Sequence, residues 1–176
     1  KTELKFLLEK YDAVNELAVA WVVLPQVSAA NKELAIGLYT GNESAKATSD
    51  AQALNDPALL ARFAFSDKAL LKDSGPGQLT ASGNATQQKA GLIAESAVLN
   101  NSPLTITLPA APTLANGSTW SVWLKTASLP QTAEVFKSGN VSLKLEGNTL
   151  ALQAGAATTR GGELKPGQWQ HIALVF

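Results

Sequence analysis

Ser118-Thr119-Trp120-Ser121-Val122-Trp123-Leu124-Lys125 alternates strictly along its length. Trp120, Val122 and Leu124 fall on one face of an extended chain, and Thr119, Ser121, Trp123 and Lys125 on the other. Period-two alternation of β-branched and aromatic residues is the pattern of a strand with one apolar face. The stretch is expected to be a central strand of a β-sandwich. The run Gly167-Gln168-Trp169-Gln170-His171-Ile172-Ala173-Leu174-Val175-Phe176 is expected to be a second core strand.

The same period extends outward from this strand. Val141, Leu143 and Leu145 alternate with Ser142 and Lys144, Glu146-Gly147-Asn148 marks a turn, and Leu150 and Leu152 return. That is a β-hairpin over 141–153. Val135–Lys137 is short and β-like, and Lys165-Pro166-Gly167 is a further turn. Upstream, Pro109–Gly117 reads as a loop, and Leu104–Leu108 and Ala90–Leu99 as strands. Lys72–Gly83 is crowded with turn formers and reads as loop with at most one short strand. Leu59–Phe65 reads as a strand opening a new module. Glu43–Asp56 is small and polar and reads as a boundary. Leu34–Tyr39, Leu17–Leu24 and Leu4–Leu8 complete the expected strands. Leu17–Leu24 is continuously apolar, which predicts burial of both its faces, with Trp21 and Trp120 as core residues.

Many short strands, frequent turns and little helical periodicity predict an all-β protein, an antiparallel β-sandwich with an additional N-terminal β-rich module. The expected division is a partial first module over 1–56 and a sandwich over 57–176. The apolar run ending at Phe176 is expected to be either an edge strand that finishes the sheet or a strand that continues in a longer parent protein.

Composition removes several function classes. The chain has 176 residues, 45% hydrophobic, with 14 basic residues against 14 acidic. Zero net charge with no Lys/Arg cluster argues against a nucleic-acid partner. Cysteine is absent, which excludes disulfides and thiolate metal sites. The longest apolar run falls far short of the ~20 residues a membrane helix needs, so no membrane insertion by this segment is expected. Low charge with abundant Ala, Ser, Thr, Asn and Gly suggests an exported bacterial protein.

Two stretches carry a resemblance. From about Phe63 to Phe176 the chain resembles the LamG-like, concanavalin A-type jelly-roll superfamily. The segments that carry it are F-A-F-S-D, K-D-S-G-P-G-Q-L-T-A-S-G, S-T-W-S-V-W-L-K and G-Q-W-Q-H-I-A-L-V-F. Leu4–Asp50 resembles a β-rich bacterial domain of unknown function that often precedes a LamG-like domain in envelope proteins. Some of those proteins are fused to TolQ/ExbB-type proton channels. The resemblance implies a jelly-roll fold, a periplasmic or otherwise extracytoplasmic location, and glycan or envelope-protein partners.

The chemistry-bearing residues are few. A glycoside hydrolase on this fold needs two carboxylates about 5–9 Å apart, and Glu95, Glu134, Glu146 and Glu163 are isolated in sequence. The single histidine, His171, cannot build a multi-histidine metal site, and reads as a strand residue satisfied by a neighbouring partner. Gly75-Pro76-Gly77 lacks the phosphate-loop pattern and reads as a turn. Asp67, Asp73 and Ser74 lie in the loop where some LamG-like relatives hold calcium, and hard oxygen ligands suit that ion. Trp123, on the polar face of its strand, is the sharpest candidate for stacking on a sugar, with Trp169, Gln170 and Tyr39 as further candidates; the competing expectation is that Trp123 is covered.

The expected function is a non-catalytic extracytoplasmic module for ligand or partner binding, with a glycan among the candidates. The alternatives are a docking domain of a TolQ/ExbB-type transporter and a glycoside hydrolase. Five N-x-S/T sequons, at Asn42, Asn84, Asn100, Asn116 and Asn140, read as accidental.

Overall fold

The structure is a computed structural model that describes residues 2–28, 33–46, 49–50, 52–65, 70–88, 90–99, 101–109 and 117–175. Among them there is no α-helix, and twelve strands form antiparallel pairs. The protein is all-β. The chain divides into two compact units, Lys1–Ala110 and Ala111–Phe176. The change of pattern after Asp56 lies within the first unit.

The second unit is a two-layer sandwich. One layer pairs β7 (Thr119–Leu124) with β12 (Gln170–Val175), with Val122 opposite Ile172. The other is a four-stranded sheet in the order β11-β10-β9-β8. Its strands are β8 (Thr132–Ser138), β9 (Val141–Glu146), β10 (Thr149–Ala154) and β11 (Ala157–Glu163). Leu143, Leu145, Leu164 and Ile172 are buried together, with Leu124, Leu150, Leu152 and Leu174 packed against them. Trp120 meets Phe136 at 4.0 Å between ring centroids with the rings tilted by 59°, a contact worth about 0.5–1.5 kcal/mol beyond area burial.

The 141–153 hairpin forms with Thr149 opposite Glu146, which leaves Gly147-Asn148 as a two-residue turn. Gly147 has φ 64°, a conformation that costs glycine little and other residues more. Two expectations need correction here. Strand β7 is not central: among the described residues it pairs with β12 alone. Strand β11, Ala-Thr-Thr-Arg-Gly-Gly-Glu, was not expected from its sequence, having no apolar face. It forms because β10 offers a free hydrogen-bonding edge, and all seven of its residues are exposed.

The first unit is less regular. β1 (Phe6–Asp12) and β2 (Leu17–Val22) form a hairpin, and β3 (Ala81–Ser82) pairs with β6 (Thr105–Ile106), and β4 (Thr86–Gln88) with β5 (Ser96–Val98). β2 is not buried on both faces. Only Val19 of its six residues is shielded, and Trp21 is 46% exposed rather than core. A strand in a two-stranded ribbon has one paired edge and no second layer supplied by its own sheet, so apolar composition alone does not bury it.

Leu34–Tyr39 and Leu59–Phe65 are not strands. The first is fully exposed, with Leu38 at 89%. In the second, the Arg62 backbone amide donates to the Asp73 carboxylate, and the Ser74 amide donates to the Arg62 carbonyl. Loop contacts thus take the groups a ladder would use. Most of the expected Pro109–Gly117 loop lies outside the described residues.

Candidate functional site

Strand alternation sets the outer surface of the β7–β12 layer. Trp120, Leu124, Ile172 and Leu174 turn inward, so the register pairs Thr119–Val175, Ser121–Ala173 and Trp123–His171 turn outward. All six of these residues are exposed. Trp123 is 45% exposed and its ring lies 5.1 Å from the His171 imidazole, tilted by 46°. His171 is exposed and forms one half of an aromatic pair on this sheet face.

The arrangement is a platform. The indole and imidazole form its apolar end, and Ser121 and Thr119 place hydroxyls about 7 and 14 Å along the strand. A platform of this kind can stack the C–H face of a ring and hydrogen-bond its hydroxyls.

The other aromatic and amide candidates are engaged differently. Trp169, just before β12, is half-buried. The Gln170 side chain is spent on the 163–170 turn: its Nε2 donates to the Glu163 carbonyl at 3.0 Å, and its Oε1 accepts from the Lys165 amide at 2.5 Å. Tyr39 is 74% exposed in the first unit. The structure brings Trp123 together with His171.

The loop read as a calcium candidate is organised by Asp73. Its Oδ1 accepts from the amides of Arg62 and Gly75, both at 2.7 Å, and its Oδ2 from the amide of Leu79 at 3.3 Å. The Ser74 hydroxyl donates to the Arg62 carbonyl and accepts from Arg62 Nη1. A Cβ on Gly77 would come within 2.8 Å of the Leu60 carbonyl oxygen, and one on Gly75 within 2.9 Å of Asp73 Oδ1. Both glycines are needed for the loop to close on its carboxylate. Asp67 lies outside the described residues. Among those described, no three His, Cys, Asp or Glu side chains gather at a metal-binding distance.

Arg62 extends this network. Its guanidinium pairs with Glu9 and sits 5.8 Å from the Trp21 ring. Sequence reasoning missed Arg62, Glu9 and their link to Asp73. The residues are separated by 53 and 11 positions, and an isolated Arg between Ala61 and Phe63 carries no local signal.

A cleft of about 380 Å³ opens between the layers of the second unit, lined by Leu143, Leu150, Leu152, Leu164 and Leu174. It is the exposed flank of the hydrophobic core. Among the described residues no helix is long and apolar enough to cross a membrane.

Residues 1–70 match the family model described as Domain of unknown function (DUF2341). The match includes Glu9, Trp21 and Arg62, and ends before Asp73. No curated protein and no solved structure matches the chain.

Proposed function

We propose that the chain is a non-catalytic, extracytoplasmic β-sandwich module of a bacterial envelope protein, and that it binds a glycan on the outer face of β7 and β12. The observation that carries this reading is Trp123. A half-exposed indole against a histidine ring, on a flat face of small and hydroxyl-bearing residues, matches the stacking surface a sugar ring requires. The jelly-roll resemblance agrees with it.

A glycan array with the full chain and a Trp123→Ala variant tests the reading. Binding by the parent that is lost in the variant is the expected result. Binding indifferent to Trp123, or no binding to any glycan, overturns it.

A second reading is a docking domain of a TolQ/ExbB-type transporter. It is favoured by the exposed apolar run Leu34, Ile36, Leu38 and Tyr39 in the first unit, since exposed apolar patches mark interaction surfaces. Co-purification of a channel subunit, lost when Ile36 and Leu38 become Ser, is its expected signature. Retention of the subunit by that variant excludes this surface.

A further inference from the structure

We propose that the outer face of the four-stranded sheet holds a second binding site, for a small sugar-like ligand that carries an oxyanion such as a carboxylate or sulfate. The site is a polar cleft of about 200 Å³ lined by Glu134, Lys137, Asn140, Ser142, Lys144 and Gln153. It lies on the opposite side of the sandwich from Trp123, because Leu143 and Leu145 of β9 face the core while Ser142 and Lys144 face away from it.

The cleft is built around Ser142. Its register partners are Lys137 on β8 and Gln153 on β10, and Lys144 lies two residues further along the same face. Ser142 is 8% exposed. Among the described residues neither Lys137, Lys144 nor Glu134 has an ion-pair partner.

A β-bulge assembles the charges. Glu134 lies opposite Lys144 and Lys137 opposite Ser142, with the register shifting between Glu134 and Phe136. Residues three apart on a regular strand face opposite ways. The extra residue of the bulge brings Glu134 and Lys137 onto one face, and bulges commonly re-aim side chains beside sites. The cleft therefore presents two free cations against one carboxylate. On the same face Arg160 and Glu146 pair with one another at 2.9 Å.

Chemical complementarity follows from this set. Two ammonium groups favour an oxyanion. Glu134 accepts from ring hydroxyls, while Ser142, Asn140 and Gln153 both donate and accept. The volume suits one sugar ring and is below that of sites for larger ligands.

Isothermal titration of the full chain with glucuronate, glucose 6-sulfate, glucose and inorganic sulfate, each to millimolar concentration, tests the proposal. At least one of the two charged sugars should bind about tenfold or more tightly than glucose, with affinity falling as salt is raised. Lys137→Gln with Lys144→Gln should abolish binding, and Ser142→Ala should weaken it by a smaller factor. Trp123→Ala should leave it unchanged, which separates failure of this site from failure of the Trp123 platform. The assignment is overturned if no charged sugar binds, if glucose binds equally well, if the double-lysine variant binds like the parent with an unchanged melting temperature, or if inorganic sulfate competes as well as glucose 6-sulfate binds.

Discussion

The two units are held together in different ways. The second is ordered by apolar side chains at period two: Leu143 and Leu145 are 2% and 1% exposed, and the layers meet over them. Among the described residues the first unit's buried hydrophobics are small, Ala53 and Ala81. Its irregular stretches are instead fixed by charged side chains bonding to backbone and to one another, chiefly Asp73 on three amides and Arg62 between Glu9, Ser74 and Trp21. Non-directional burial tolerates exchange of similar shapes. A polar network is worth most when every member is present and is damaged when one is lost.

The largest effect expected from a single substitution is Leu145→Ala, which should destabilise the second unit by about 2–5 kcal/mol through lost burial and a cavity. Denaturant unfolding followed at Trp120 checks it, and Leu145→Met, which conserves volume, should cost less than about 1.5 kcal/mol. The first unit should invert this tolerance. Arg62→Met keeps much of the stem but strands Glu9, whose side chain is 16% exposed. A loss of about 1–3 kcal/mol is expected, and Glu9→Gln in the same chain should restore part of it. A double-mutant cycle with no coupling between the two positions would show that the pair does not hold the unit.

Gly77→Ala should cost about 1–3 kcal/mol, because the new Cβ meets backbone at 2.8 Å and the loop must shift. Hydrogen exchange should show the loss over residues 70–81. Gly139→Ala in the second unit meets no atom within 4 Å. Its cost should be confined to the strain of φ 56°, about 1 kcal/mol.

The smallest effect belongs to Asp12, which closes the β1–β2 turn. The hydrogen bond from the Asn15 side chain, then that from the Asn15 amide, hold its carboxyl below the ordinary Asp value. A group depressed in the folded state stabilises above its unfolded pKa and loses that contribution as pH falls through the folded one. The hairpin should therefore loosen only in acid, below the ordinary carboxylate range, and Asp12→Asn should flatten that dependence in a pH-resolved melt.

The contrast between the units also explains what the sequence could show. The all-β class, the 141–153 hairpin with its glycine turn and the existence of β7 and β12 rest on local alternation, which can be read one stretch at a time. β11 was invisible because a neighbour's edge, not its own side chains, makes it a strand. Leu34–Tyr39 shows the reverse, having apolar composition but no strand conformation. Trp123 was legible as a site candidate because it broke the polar face of its own strand. The Ser142 cleft was not, because a bulge displaced the alternation that would have placed Glu134 beside Lys137. The Arg62–Asp73 network joins residues far apart in sequence, and no local pattern announces it.

Binding on the Trp123 face is tested most directly by the tryptophan indole N–H resonances of the full chain. The four tryptophans give four signals, and Trp123→Phe assigns one of them. Titration with a glycan identified on the array should move the Trp123 indole signal and the His171 ring signals together, while the Trp120 signal, under the sheet against Phe136, stays in place. A bound glycan that leaves the Trp123 signal unmoved would contradict the account.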